Sequence, residues 1–503
     1  MNSKRHLLIS FTVYLISFLI LFPEFQYVIN TDAISYFSIA KKYFDGHYSE
    51  AINGYFGPLY SWLILPAFHL NVEPLVFARL INVIFSFMLF VLVIQYLNVL
   101  NFSKKFYFIV IYYFIIPALL FSFWYITPDY LLLILMLSLI LLSVNEKYLL
   151  NFGFVLLGAL LASLIYLTKS FGLVYFLIFQ SIVLIINVRR TKELKKKLFI
   201  NYSLSIIFFL ILISPWVHLI SNKYGEFTFS TSGKINLLIV NPELNFHHPS
   251  IESGIVPPSD KYAVSAWDDP DLSFYPGWSP LDSSDDMKFF IFNFLKNSVK
   301  FIALLILFCP IFVFSLPKLR QKVWDDYKLR ILLSALILNG ILYSFVYVES
   351  RYIWLSLVLF SLVTFVAIQE LLYKVNLKKL SGKIIVFLIL ISPVVFIFFA
   401  YNKNLKDTRG YDYANKIKKK HALQGNIATT NHWWLGLNIS YFLNCKFYGE
   451  EKKSDLDEKL VAKLKSAGIN YLLDYSEDSK SFEGIKLITR IDSLNIYEIL
   501  VDR

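Results

Sequence analysis

"RRTKELKKK", residues 189–197, stands between two apolar runs, and its reading decides the fold. Six of these nine residues are basic, and short loops rich in Lys and Arg stay on the cytoplasmic side of a membrane. The stretch therefore assigns a side to every neighbouring segment. A membrane setting fits the whole chain. Of its 503 residues 57% are hydrophobic and only 17% charged, outside the range of soluble globular domains.

Runs of about 17 to 25 apolar residues cross a hydrocarbon core of roughly 30 Å as helices. Eleven such spans are expected, at 7–22, 74–98, 106–123, 129–144, 152–168, 171–188, 198–220, 297–316, 330–347, 352–373 and 383–401. The first follows Lys4 and Arg5 as a signal peptide would, but no small-residue cleavage site follows it, so a retained anchor is expected. Counting outward from 189–197, the cytoplasmic side receives Lys4 and Arg5, Lys104 and Lys105, Lys147, Lys318 with Arg320 and Lys322, and Lys374 with Lys378 and Lys379. The opposite side receives the loop 23–73, the turns at Asp129 and Lys169, the loop 221–296, Arg351 and the tail. The net charge of +12 thus speaks for contacts with an anionic inner leaflet, not for nucleic acid.

The tail changes composition near residue 402. "DLDEKLVAKLKSAG", 455–468, has an Asp start and a Gly stop for a helix, and "INYLLDY", "IKLITRI" and "LNIYEIL" are strand-like. The expected architecture is a polytopic α-helical membrane domain over 1–401, with outer loops 23–73 and 221–296, and a small extracytoplasmic α/β domain over 402–503. No phosphate-binding Gly-rich loop, zincin helix or nucleophile elbow is present. Adjacent His247 and His248 lack the spacing of a metal site, and neither a metal nor a cofactor is expected.

Ionisable groups near membrane depth cost several kcal/mol unless paired or hydrated, which makes them site candidates. Asp32 follows the first span and opens "AISYFSIAKKYF", where Ile34, Phe37, Ala40 and Phe44 recur at helical spacing, as in a helix lying on the outer leaflet. Thr31 and Asp32 suit a helix cap equally well. Asp129, behind Thr127 and Pro128, also has the makings of a helix start. Lys169 interrupts an apolar hairpin, either snorkelling to headgroups or meeting a phosphate. Arg79 lies roughly 8 Å into its helix at about 1.5 Å per residue, which is awkward for snorkelling. Arg351 has Glu349 as a ready partner. The loop "WDDPDLSFYPGWSP", 267–280, mixes aromatics and carboxylates, which suits sugars and equally an interfacial loop.

Taken in order, Asp32, "GYFGPLYSWL" (54–63), "FARLIN" (77–82), "TPDYLLL" (127–133), "YLTKSFGLVYF" (166–176) and "ESRY" (349–352) resemble the GT-C superfamily of membrane glycosyltransferases. The likeness is to bacterial relatives of the dolichyl-phosphate-mannose protein mannosyltransferases and of the lipid A aminoarabinose transferase. The resemblance implies inverting transfer of a sugar from a polyprenyl-phosphate donor to a lipid, glycan or protein acceptor on the outer face. It implies Asp32 as the base and Asp129 as a support for the acceptor or for that base. Lys169, Arg79 and Arg351 would meet the donor phosphate, and Tyr55, Tyr60 and Tyr352 the substrates. Many relatives carry Asp-Glu where Ala33 follows Asp32 here, which leaves a second acid at that position without support. Two other functions fit a chain of this kind. A polysaccharide polymerase or ligase would lean on arginines in the large outer loop, and 221–296 contains none. A non-enzymatic lipid-linked sugar transporter would show paired, broken helices.

Overall fold

The computed structural model describes residues 3–252, 254–374, 379–400, 406–452, 457–476 and 483–500. Nine of the helices are long and apolar enough to cross a membrane, and two shorter apolar ones, Asp129–Ser143 and Phe152–Thr168, bring the number among the described residues to the eleven expected. Boundaries differ where capping chemistry outweighs hydropathy. The span expected from 297 begins at Ser284, because Ser283 accepts a hydrogen bond from the Asp286 backbone and Asp285 and Asp286 occupy the first turn. It ends at Phe308, ahead of Pro310. The helix Lys195–Tyr224 has 30 residues, about 45 Å long at 1.5 Å per residue, longer than a hydrocarbon core of roughly 30 Å.

Polar side chains, not hydrophobicity, set how these helices meet. In a membrane, apolar contact alone does not distinguish a helix neighbour from lipid. Tyr14 of the first helix bonds the Ser122 hydroxyl at 2.8 Å, Ser122 and Ser86 are 3.0 Å apart, and Ser86 reaches Tyr130 at 2.9 Å. The deepest fastening is Arg79 of the helix Pro74–Val99, fully buried. One terminal nitrogen donates to the Phe123 carbonyl at 3.0 Å and lies 3.4 Å from that of Ser122. The other donates to the Val28 carbonyl at 2.5 Å. Two residues further on, the Asn30 side chain accepts from the Ile126 backbone N–H at 3.0 Å. Segments 26–32 and 122–129 are therefore laced together, and these carry Asp32 and Asp129.

The helix Thr31–Phe44 does not lie on the leaflet as its periodicity suggests. Residues 33–40 and Lys42 are buried, beneath the helices Pro58–His69 and Trp433–Leu443 and the turn Ala266–Asp268. Its small residues, Ala33, Ser35, Ser38 and Ala40, admit neighbours on both faces. Lys42 escapes isolation through Asp260, 2.6 Å away.

Beyond the last span a sheet has the order β1-β3-β2-β4-β6-β5. Its strands are β1 Gly254–Ile255, β2 Asn426–Thr429, β3 Lys446–Glu450, β4 Tyr471–Asp474, β5 Ile485–Ile491 and β6 Leu494–Ile499. β2 runs parallel to β3 and β4, and the other pairings are antiparallel. The expected helix within 455–468 forms at Glu458–Ser466, where Asp457 accepts from Leu460 N–H, and Gly468 takes the left-handed conformation beyond it. β1 belongs to the loop after the seventh span, with Gly254 opposite Glu450 of β3. That loop and the tail therefore share one side of the membrane. The tail is also tied down by Tyr441, which donates to Glu73 at 3.0 Å, and by Tyr411, stacked on Tyr27 at 3.6 Å. The expected boundary near 402 lies outside the described residues.

Replacing Arg79 with Met leaves the Val28 and Phe123 carbonyls buried without their donor, at about 1–3 kcal/mol for each such group. The expected outcome is a marked loss of monodisperse protein on size exclusion after detergent extraction. Normal yield and thermal stability would show that Arg79 does not hold the two segments together.

Candidate active site

Asp32 sits in the first turn of its helix, yet it does not cap it. No side chain bonds the helix start. The Asp32 carboxylate points away, accepting from an Arg351 terminal nitrogen at 2.7 Å and from the Trp267 indole N–H at 3.1 Å. Burial pushes this carboxyl upward. The Arg351 charge and hydrogen bond, the Trp267 bond and the more distant Lys169 outweigh burial and hold it below the usual carboxylate range.

Arg351 is placed by the short turn Ser350–Ile353 at the head of the helix Trp354–Lys374. Its whole fork is engaged. Nε donates to Glu349 at 2.9 Å, one terminal nitrogen to Asp32, and the other to the Tyr352 hydroxyl at 3.2 Å. The guanidinium also lies 4.9 Å from the Tyr125 ring centre and 5.0 Å from that of Tyr352, a stacked environment that suits Arg better than Lys.

Lys169 ends the helix Phe152–Thr168 in an extended conformation that projects its side chain from the hairpin. Its ammonium donates to Asp129 at 2.6 Å and stands 4.5 Å over the Tyr352 ring. Thr127 donates to the second Asp129 oxygen at 2.7 Å and does not cap the helix. Gly57 is needed where the loop before the helix Pro58–His69 crosses this turn. A Cβ there would lie 2.5 Å from the carbonyls of Leu167 and Thr168.

The structure thus brings together Asp32, Asp129, Lys169, Arg351 and Tyr352, residues from four segments, around the Tyr352 ring. Tyr55 stands at the margin, its ring edge-on to Trp267 at 5.2 Å and its hydroxyl bonded to Asn236 at 3.2 Å. Tyr60 is packed behind, edge-on to Tyr36 at 5.3 Å, and its buried hydroxyl has no partner among the described residues. Arg79 makes none of its hydrogen bonds in this cluster. Its guanidinium is committed to the backbone carbonyls of Val28, Ser122 and Phe123, so the depth that singled it out reflects a scaffold position.

Sequence reasoning missed Trp267 and His248. Trp267 reaches Asp32 from 235 residues away. His248 meets the Trp267 ring edge-on at 4.2 Å, and its backbone N–H donates to Glu252 at 3.1 Å. Burial, against the pull of Glu252 and Asp32, lowers its imidazole to about 4 and keeps it neutral. The aromatic and acidic composition of 267–280 was the available signal for Trp267; for His248 there was only the doubled histidine. Among the described residues no group of three His, Cys, Asp or Glu side chains is arranged to hold a metal ion.

No family model matches the chain, and no curated protein sequence matches it. Solved structures do. The chain is similar to the crystal structure of ArnT from Cupriavidus metallidurans in the apo state, with a TM-score of 0.59 at 12% identity over 99% of this chain and 98% of that one. It is similar to ArnT from the same organism bound to undecaprenyl phosphate, with a TM-score of 0.57 at 13% identity over 97% of each chain. Likeness at such identities is likeness of fold. The polytopic helical architecture with a small C-terminal α/β part, expected from hydropathy and composition, is the fold this chain has.

Proposed function

We propose that the protein is an inverting membrane glycosyltransferase. It moves a sugar from a polyprenyl-phosphate donor to a lipid, glycan or protein acceptor on the outer side of the membrane. The observation that carries this reading is the pairing of two helix-start carboxylates, Asp32 and Asp129, with two cations, Arg351 and Lys169, about Tyr352. One oxygen base beside a phosphate-binding pair is the minimum that such a transfer requires. The ArnT structure with bound undecaprenyl phosphate supports the donor class on the same fold.

Asp32 takes the proton of the acceptor hydroxyl while the acceptor oxygen bonds the anomeric carbon from the face opposite the phosphate. The anomeric carbon to phosphate oxygen bond breaks, and its electron pair leaves with the polyprenyl phosphate, which gains one negative charge. Arg351 and Lys169 offset that charge as it develops. A glycosidase needs a second carboxyl to protonate a poor alkoxide leaving group. A phosphate leaves as a stable anion, so Asp129 serves to hold Lys169. Arg79 has no place in this phosphate set, since its donors are committed elsewhere. The active site and the tail lie outside in this reading and 189–197 inside, in line with the Lys and Arg distribution.

Asp32→Asn preserves size and hydrogen-bond acceptance from Trp267 while removing the base. Transfer at saturating donor should fall by about 10²-fold or more. A well-folded Asn variant that transfers sugar at near wild-type rate would refute the assignment. Lys169→Met should raise the donor concentration needed with little effect on yield, read from a donor titration of initial rates. In a background without Cys309 and Cys445, a cysteine at position 270 should react with an impermeant thiol reagent in intact cells and one at 195 should not. The reverse pattern would overturn the orientation.

A further inference from the structure

Each cation of the cluster already holds a carboxylate. Arg351 has Glu349 on Nε and Asp32 and Tyr352 on its terminal nitrogens, and Lys169 holds Asp129. An incoming phosphate must share or displace these partners. Asp129 is the hardest to move, since its side chain is 1% exposed and Thr127 holds its other oxygen. Glu349 occupies Nε, on the edge of the fork away from the terminal nitrogen that meets Asp32. Asp32 is 21% exposed, and it has a second donor from a different element, Trp267, to keep it in place when Arg351 turns away.

Resting on the glycosyltransferase reading, we propose that Asp32 and the donor phosphate compete for Arg351, so that the base is freed only when the donor is seated. Trp267 is then the positioning residue that retains Asp32 after the exchange. Before the exchange Asp32 is a poor base, because a carboxylate paired with a guanidinium gives up its proton affinity. Once the phosphate takes the Arg351 charge, burial, the largest influence on Asp32, raises that affinity again. The other groups facing Asp32 are Lys169, Tyr352, Tyr36, Tyr55 and, behind Trp267, the neutral His248. None of them brings a further positive charge except Lys169, which remains on Asp129. The exchange makes donor binding and base activation one event and gives the reaction an order, donor before acceptor.

The test is titration calorimetry of a short-chain prenyl monophosphate into the purified full-length protein in detergent. If Asp32 competes, Asp32→Asn binds the phosphate about tenfold more tightly than wild type, the size expected for a lost charge-assisted hydrogen bond. The gap between the two proteins narrows as pH falls and protonation of Asp32 frees Arg351 in the wild type. Arg351→Gln abolishes the gain when combined with Asp32→Asn. Asp32→Ser, which also removes the charge, replaces the Asn variant if that one does not come out folded. Equal or weaker binding by the uncharged variants overturns the competition while leaving the transferase reading intact. Absence of binding by every protein overturns both.

Discussion

A buried guanidinium with no ion-pair partner among the described residues has to turn to backbone, and the two terminal nitrogens of Arg79 do so on Val28, Ser122 and Phe123, while its Nε has no hydrogen-bond partner there. Desolvation makes this strict. A charge taken out of water is tolerated only with hydrogen-bond partners of good geometry. The carbonyls Arg79 binds belong to the exits of two helices, so one side chain sets the separation of the segments that carry Asp32 and Asp129. Asn30 repeats the stitch on Ile126. The polar network of Tyr14, Ser86, Ser122 and Tyr130 keeps the same helices in register below it.

Above this scaffold the charges obey the same rule by pairing with each other. Asp32 with Arg351, Asp129 with Lys169 and Glu349 with Arg351 form a cluster in which Tyr352 is the shared surface, with Tyr343 stacked behind it at 5.0 Å. In the proposed exchange the phosphate takes the Arg351 bond to Asp32 while Lys169 stays on Asp129, so the pairing and the proposed chemistry draw on the same electrostatics.

The loop 221–296 and the tail cover the arrangement. Trp267 is fixed by Tyr55, Phe56 and His248 around its ring, and the Asn53 side chain holds the Asp268 carbonyl at 2.5 Å. Burial pushes the Asp268 carboxyl up to about 6, with Lys42 opposing. β1 sews the same loop into the tail sheet. The helix Thr31–Phe44 is thereby covered on both sides, which is why an apparently interfacial sequence ends in a protein core.

The sequence by itself determined the number of spans, their sidedness expectation and the composition of the tail, because hydrophobic run length and the placing of Lys and Arg are local properties of the chain. It also marked Asp32, Asp129, Lys169, Arg79 and Arg351 as charges in need of an explanation. Which explanation applies was decided by tertiary structure alone. Asp129 and Lys169 are 40 residues apart and Asp32 and Arg351 are 319 apart, and nothing local specifies those partners. The carbonyls that the Arg79 terminal nitrogens meet lie 43 to 51 residues away, and no local signal points to them. Asp32 was a helix cap or a site residue on local grounds, and the guanidinium and indole that face it exist only where the folded helices and the outer loop converge.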